Sequence, residues 1–169
     1  MLDRSLPCGD TRQNIFHMRL LMRIPVPWVF VLSYLTGVVL EAFFPSHAKI
    51  PGPSTVMIAG GVLFALGAII AGWGLFLFRK SRTTTVPGRL SSKLVTWGPY
   101  RFSRNPMYVG LTLAYVGEAG ILKQLWPLPF LALTLAYLHW VVIPVEEARL
   151  TQAFGAQYEQ YRTEVRRWL

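Results

Sequence analysis

Cysteine and charge are both scarce in this chain of 169 residues. The one cysteine, Cys8, excludes an internal disulfide and a cysteine cluster that binds metal. Only 15% of the residues are charged, whereas soluble domains carry about a quarter. Since 53% of the residues are apolar, the composition excludes an ordinary soluble domain and indicates a one-domain membrane protein.

Four apolar segments approach the length of a membrane-spanning helix, which needs about 20 residues. They are residues 27–44, 56–78, 106–122 and 127–145. The short connection between the last two favours an antiparallel pair. The first 23 residues have no apolar stretch beside a cleavage site, so no removable signal peptide is predicted. The sequence predicts an all-α integral membrane bundle with about four transmembrane helices in one domain, 1–169.

The distribution of basic residues predicts the topology. Fifteen of the 17 basic residues lie in three segments: before the first span, between the second and third, and after the fourth. With four spans, all three segments lie on one side, and the positive-inside rule makes that side cytoplasmic. We therefore expect a multi-pass protein of the inner cell membrane with both termini in the cytoplasm. The net charge of +9 then indicates membrane topology and contact with lipid headgroups rather than binding to nucleic acid.

Small residues and carboxylates within the spans suggest how the helices pack and where they end. Gly61 and Gly72 each belong to a pair of small residues spaced by four, which predicts a helix-packing face on the second span. Glu41 and Glu118 lie near the outer ends of the first and third spans. A carboxylate within a membrane suggests a function, but contact with water at a span end is the favoured interpretation here.

Asn105-Pro106 has the pattern of a helix start, because Asn is a favoured N-cap and Pro suits the first turn. The free N–H groups at this end attract negative charge. Arg101 and Arg104 add positive charge beside it. The segment therefore predicts a site for a carboxylate or phosphate. The alternative is that both arginines only anchor the protein to lipid phosphates.

Glu146 and Glu147 follow the last span, just after Pro144. A carboxylate pair at this place suits an ammonium or sulfonium group, or ribose hydroxyls. The alternative is a solvated helix turn. His139 lies seven residues before Glu146, which puts both on one face of a regular helix. Glu147 and His139 are the candidate catalytic residues, and the alternative for His139 is a hydrogen bond to a neighbouring helix.

The C-terminal stretch 146–167 is predicted to form one amphipathic helix. Its apolar face consists of Leu150, Phe154, Tyr158, Tyr161, Val165 and Trp168. This helix, the polar loop 79–105, the helix start at Pro106 and the two glutamates all fall on the cytoplasmic side of the predicted topology. Polar groups would then surround a cavity that opens to the cytoplasm and laterally to lipid.

The C-terminal half resembles the isoprenylcysteine carboxyl methyltransferase and phospholipid methyltransferase superfamily. The family's Arg-His-Pro-x-Tyr-x-Gly element matches residues 104–110, which read Arg-Asn-Pro-Met-Tyr-Val-Gly. Its Glu-Glu-x-x-Leu element matches 146–150, and its Phe-Gly-x-x-Tyr-x-x-Tyr tail matches 154–161. The resemblance implies an S-adenosylmethionine-dependent methyltransferase that acts on a lipophilic acceptor, without a metal. The cofactor-binding residues that it implies are Ser92, Lys93, Leu94, Val95, Tyr100, Arg104, Asn105, Pro106, Met107, Tyr108, Glu146 and Glu147.

Two positions depart from the family pattern. Asn105 replaces the family's histidine, and it can form hydrogen bonds but cannot titrate. Val142 stands where prenylcysteine enzymes have an arginine for the substrate carboxylate. The acceptor therefore stays open between a carboxylate, a lipid amine and another hydrophobic small molecule. The alternative functions are an NADPH-dependent membrane lipid or sterol-type reductase, which resembles the same half, and a non-enzymatic membrane protein of this fold.

Overall fold

The computed structural model describes residues 25–45, 53–80 and 94–169. Every regular element in these ranges is helical, so the predicted all-α fold is confirmed. The α-helices in these ranges are α1 (Val26–Phe43), α2 (Pro53–Lys80), α3 (Pro106–Leu122), α4 (Pro127–Tyr137), α5 (Ile143–Phe154) and α6 (Ala156–Glu164). A 3-10 turn, Gly98–Arg101, precedes α3, and a π-helical segment, Leu138–Val142, joins α4 to α5.

Within residues 25–45, 53–80 and 94–169, three helical stretches are long and apolar enough to cross a membrane: Val26–Phe43, Ser54–Leu77 and Pro127–Phe154. At most 28% of the residues in the most apolar part of each stretch are buried inside the protein. Large apolar side chains therefore face outward, as contact with lipid requires. α3 has the predicted bounds, but its 17 residues make a helix of only about 25 Å. That α3 crosses the membrane, and with it the total of four spans, therefore stays a prediction.

α2 and α3 run antiparallel and touch through their backbones. A Cβ atom added at Gly67 would lie 2.4 Å from Ala114 N and 2.5 Å from Gly110 O. A Cβ atom added at Gly117 would lie 2.6 Å from Gly60 O. Because there is no room for a side chain at these positions, glycine is what allows the close approach, as in many membrane helix pairs. This contact holds α3, and hence the helix start at Pro106, against α2.

The predicted packing face of α2 is wrong. Packing was assigned to Gly61 and Gly72, yet no neighbouring atom lies within 4 Å of a Cβ atom added at either residue. The contact uses Gly60, Gly67 and Gly74, which recur every seven residues, or about two turns of helix. The prediction considered only pairs spaced by four, and so it selected residues on another face.

α1 packs against α3 and the start of α4. The ring of Tyr115, in α3, makes edge-on contacts with Phe30 and Tyr34 of α1. Its hydroxyl donates a hydrogen bond to Pro127 O at 2.9 Å. A Cβ atom added at Gly37 would lie 2.5 Å from Pro127 Cα, so α1 also approaches α4 closely. These contacts make Tyr115 the aromatic centre of the apolar core.

Glu41 has a structural partner at the end of α1. Its Oε2 accepts hydrogen bonds from Leu125 N at 3.3 Å and from Trp126 N at 3.4 Å. Both amides belong to the connection just before α4, which begins at Pro127, so the carboxylate ties the end of α1 to the residues that lead into α4. From the sequence, contact with water was favoured for Glu41 over a function within the membrane. Its role at this helix end required the three-dimensional structure.

The last predicted span and the C-terminal helix have different bounds in the structure. α4, the π-helical segment and α5 form one continuous stretch to Phe154, so Glu146 and Glu147 lie within it rather than at the start of a new helix. The π segment precedes Pro144, which cannot donate a hydrogen bond to the carbonyl four residues earlier. The helix then ends at Gly155, which has a φ of 52°. The next helix, α6, ends at Glu164. The 146–167 stretch is therefore two helices and a short extended tail.

Candidate functional site

A tyrosine of α3 and a glutamate of α5 join the two helices at one end of the bundle. The Tyr108 hydroxyl donates a hydrogen bond to Glu146 Oε1 at 2.8 Å. Tyr100, in the 3-10 turn, lies close enough to Glu146 for its phenol to be affected by the carboxylate. Burial, and then this negative charge, raise the pKa of Tyr100 to about 12, so the phenol stays protonated at physiological pH. Three predicted site residues thus lie together.

Glu147 holds two arginines in a buried ion-pair cluster, the Arg104–Glu147–Arg167 triad. Arg167 donates from Nε and NH2 to the two carboxylate oxygens, at 3.1 and 2.6 Å. Arg104 NH1 lies 2.9 Å from Glu147 Oε1, and both side chains are nearly 90% buried. That contact is an ion pair without hydrogen-bond geometry, and Arg104 Nε and NH1 donate no hydrogen bond to any described residue. The triad has two positive charges and one negative, so it retains capacity for an anion.

The tail after α6, residues 165–169, returns along the start of α3. Arg104 N donates to Arg166 O at 2.9 Å, and Asn105 Nδ2 donates to Arg167 O at 2.9 Å. The helix does begin at Pro106, as predicted, but the Asn105 side chain does not cap it. The amide of Asn105 is engaged by the tail carbonyl instead. Asn105 therefore fastens the tail to the site.

The remaining predicted cofactor-binding residues are near Tyr100 and Arg104 in the sequence, but those that the structure describes have other neighbours. Pro106 is buried at the first turn of α3. Met107 faces α2, where its Cγ would lie 2.8 Å from a Cβ atom added at Gly74. Val95 is buried, and Leu94 is half-buried. The two predicted contacts that lie outside the described residues are Ser92 and Lys93.

His139 lines an apolar cavity whose lining includes neither Glu146 nor Tyr108. Trp168 Nε1 donates a hydrogen bond to His139 Nδ1 at 3.2 Å. The prediction that His139 and Glu146 share a helix face assumed a regular α-helix, but π-helical residues lie between them and shift the register. The cavity has a volume of about 480 Å³. It is lined by Val109, Thr112, Leu113, Ala132, Leu135, Ala136, His139, Trp140, Trp168 and Leu169.

The sequence profile of the phospholipid methyltransferase family matches residues 55–157, well over half of the chain. The chain belongs to the phospholipid methyltransferase family. The match covers α2 to the first residues of α6, and it therefore includes Arg104, Tyr108, Glu146 and Glu147. The resemblance found in the sequence is confirmed.

Relatives of this phospholipid methyltransferase family member include plant enzymes. It is 30% identical over 139 residues to protein-S-isoprenylcysteine O-methyltransferase A of Arabidopsis thaliana, an alignment that covers 80% of this chain and 66% of that one. It is 30% identical over 142 residues to a probable protein-S-isoprenylcysteine O-methyltransferase of Oryza sativa subsp. indica, covering 80% and 69%. The chain thus spans about two thirds of the length of these relatives.

This chain also has a shorter match, to a protein whose name does not mention methyl transfer. It is 36% identical over 69 residues to the cobalt-zinc-cadmium resistance protein CzcN of Cupriavidus metallidurans, covering 41% of this chain and 32% of that one. In the part of the chain that the structure describes, no group of three or more His, Cys, Asp or Glu side chains is placed to hold a metal ion. No solved structure gives a significant match.

Sequence reasoning missed two residues of the site, Arg167 and Trp168. Arg167 was counted only as part of the basic C-terminal segment, and Trp168 only as part of an apolar face. The available signal was the Glu146-Glu147 pair, because a buried carboxylate needs a cationic partner. That signal does not say which of several arginines supplies the charge. Only the return of the tail along α3 identifies Arg167.

Proposed function

We propose that this protein transfers a methyl group from S-adenosylmethionine to a lipophilic acceptor at the cytoplasmic face of the inner membrane. One observation supports this most. The polar cluster, made of the Tyr108–Glu146 pair and the Arg104–Glu147–Arg167 triad, borders the apolar cavity. Two consecutive residues of the tail connect them, since Arg167 binds Glu147 and Trp168 binds His139. A charged cofactor and a lipid-soluble acceptor need such neighbouring sites. In this proposal residues 1–169 form a single methyltransferase domain with both termini in the cytoplasm.

The residues of the polar cluster fit the cofactor. Arg104 has two buried nitrogen atoms without a hydrogen-bond acceptor among the described residues, and it precedes the start of α3. Both features suit the carboxylate of the methionyl group. Glu146, held by Tyr108, suits the ammonium group or the ribose hydroxyls, and Tyr100 with Val95 offers apolar surface to the adenine. The full proposed set is Ser92, Lys93, Leu94, Val95, Tyr100, Arg104, Asn105, Pro106, Met107, Tyr108, Glu146 and Glu147.

Positioning and exclusion of water account for most of the catalysis in this proposal. When bound, S-adenosylmethionine supplies an activated methyl group on a sulfonium, so no metal is required. The apolar cavity holds the acceptor and removes water from its reacting atom. Glu147 is a weaker candidate for a base than the sequence alone indicated, because both of its oxygens face guanidinium groups. We assign Glu147 to holding Arg104 and the tail in place.

The lipophilic acceptor is proposed from the cavity and from the relatives. The two plant proteins are named as protein-S-isoprenylcysteine O-methyltransferases, so their names give an isoprenoid-modified cysteine that is methylated on oxygen. In this chain Val142 is buried and adds no charge to the site. A carboxylate acceptor would therefore need another hydrogen-bond donor. An amine acceptor would need a base to remove a proton.

Replacement of Glu146 by alanine tests the cofactor site. We expect the affinity for S-adenosylhomocysteine to fall roughly ten- to a hundred-fold, because a hydrogen bond to a charged group contributes about 1.5–3 kcal/mol. The measurement is isothermal titration of the purified protein in detergent. The matched control is Glu164→Ala, which removes an exposed carboxylate of α6 and should leave the affinity unchanged.

An affinity of Glu146→Ala equal to that of the unaltered protein would exclude Glu146 from the site. A folded, unaltered protein that does not bind S-adenosylhomocysteine would contradict the methyltransferase proposal as a whole. If that protein bound NADPH instead, the reductase alternative would replace it, and binding of neither molecule would favour a non-enzymatic role.

A further inference from the structure

The hydrogen bond between Trp168 and His139 determines which tautomer the neutral imidazole ring adopts. An indole N–H can only donate, so the Nδ1 atom that receives it at 3.2 Å must carry no proton. A neutral imidazole has one N–H group, which must then be on Nε2. An imidazolium has N–H groups at both nitrogens and cannot accept this bond. The tail therefore selects one tautomer of His139.

The Nε2–H group of His139 remains available to a ligand. Within the described residues, the one hydrogen bond found for this ring is made by Nδ1. Nε2 has no partner there and is not a fully buried atom, so a ligand can reach it. His139 lines the cavity together with Trp168 and mostly aliphatic side chains. The Thr112 hydroxyl, also in the lining, already donates to Tyr108 O at 2.8 Å. The imidazole thus brings to an apolar space a donor that no described residue uses.

We propose that Trp168 is a positioning residue that makes His139 a hydrogen-bond donor, and that this donor selects acceptors whose headgroup presents an oxygen lone pair. The inference rests on the proposed function, because it takes the cavity as the acceptor site. His139 then orients the acceptor and does not remove its proton. An ammonium headgroup carries only N–H donors, so it would face another donor at His139 and bind poorly.

The chemistry of such an acceptor needs no base. Transfer to a carboxylate oxygen forms one O–CH₃ bond and breaks one S–CH₃ bond. The oxygen lone pair becomes the new bond, the electron pair of the broken bond returns to sulfur, and no proton moves. His139 therefore has to hold the carboxylate without protonating it, which a neutral N–H donor does. This role is also consistent with Val142, which stands where prenylcysteine enzymes have an arginine for the substrate carboxylate.

The first test reads the tautomer directly. Nitrogen NMR of the protein with ¹⁵N-labelled histidine, assigned by comparison with His139→Gln, should show a protonated Nε2 and an unprotonated Nδ1. In Trp168→Phe, which keeps a ring but loses the donor, the two tautomers should both be populated. Trp126→Phe is the matched control, because it removes an indole hydrogen bond, to Phe44 O, at the connection between α3 and α4. A protonated Nδ1 in the unaltered protein would overturn the proposal.

The second test reads selectivity, with dodecanoate and dodecylammonium as probes of equal chain length. Both are titrated at about pH 8.5, where they carry opposite charges, into protein in lipid nanodiscs, with empty nanodiscs as reference. We expect the unaltered protein to prefer dodecanoate by roughly ten-fold or more, the scale of a hydrogen bond to a charged group. His139→Leu should abolish the preference, and His139→Gln, which retains an N–H donor, should recover most of it.

Equal binding of the two probes, or a preference that survives in His139→Leu, would overturn the inference. Failure of the proposed function gives a different result, because S-adenosylhomocysteine binding is measured on the same preparations. If the unaltered protein does not bind S-adenosylhomocysteine, the proposed cofactor is wrong, whatever the selectivity between the probes. Retained binding in His139→Leu, with lost selectivity, is the outcome that we expect.

Discussion

Replacement of Glu147 by alanine is expected to destabilise the protein by about 3–5 kcal/mol, the cost of breaking a buried ion pair from one side. The substitution leaves the Arg104 side chain, which is 12% exposed, without its carboxylate. It also frees Arg167, so the tail loses its bidentate anchor and Trp168 loses its position beside His139. We therefore expect a loss of stability together with a loss of activity.

Chemical denaturation in one detergent measures this effect, and Glu159→Ala is the matched control. Glu159 pairs with Arg162 at 3.4 Å and accepts a hydrogen bond from Thr151 at 3.1 Å, and its side chain is nearly half exposed, so its removal should cost only about 1 kcal/mol. A triple variant, Arg104→Met with Glu147→Leu and Arg167→Leu, should recover part of the lost stability, because apolar side chains often replace a buried ion cluster without loss. Equal stability of Glu147→Ala and Glu159→Ala would show that the triad is not a structural tie.

Replacement of Gly67 by alanine should separate α2 from α3. The added Cβ atom meets backbone atoms, Ala114 N at 2.4 Å and Gly110 O at 2.5 Å, and these cannot move aside like a flexible side chain. Overpacking costs about 1–3 kcal/mol, and contact with a rigid backbone favours the upper part of that range. Displacement of α3 should also move Tyr108 away from Glu146 and weaken cofactor binding.

Gly61→Ala is a close control, since it makes the same change in the same helix. No neighbouring atom lies within 4 Å of its added Cβ atom, and alanine is the better helix former. Melting temperature in detergent should therefore fall for Gly67→Ala and stay constant or rise slightly for Gly61→Ala. The opposite order would show that the helices pack through the face that the sequence first suggested.

The sequence predicted much of the local structure, because local signals determine it. Apolar length located the helices, and Asn105-Pro106 marked the first residue of α3 correctly. Glycine spacing did not identify the packing face of α2, because any small residue can face lipid or protein. Whether Gly67 or Gly61 forms the helix contact depends on where α3 lies in the fold. No local sequence pattern determines that position.

The candidate site was predictable only in part, for a related reason. Family motifs pointed to Tyr108 and Glu146, which the structure joins by a hydrogen bond. The same motifs end before residue 165, so they gave no role to Arg167 or Trp168. The regular spacing of His139 and Glu146 was a poor guide, because the π-helical segment changes the register between them. Contacts made by a returning tail are long-range, and sequence periodicity does not report them.

Transfer of a labelled methyl group tests the central claim most directly. The unaltered protein, in nanodiscs made with total membrane lipid, is incubated with S-adenosylmethionine that carries a tritiated methyl group, and the label extracted into organic solvent is counted. We predict label in the lipid-soluble fraction, reduced at least about ten-fold in Glu146→Ala. Release of that label as methanol by mild base would identify a methyl ester. Label that stays entirely in the aqueous fraction, with protein that binds S-adenosylhomocysteine, would contradict methyl transfer to a membrane lipophile.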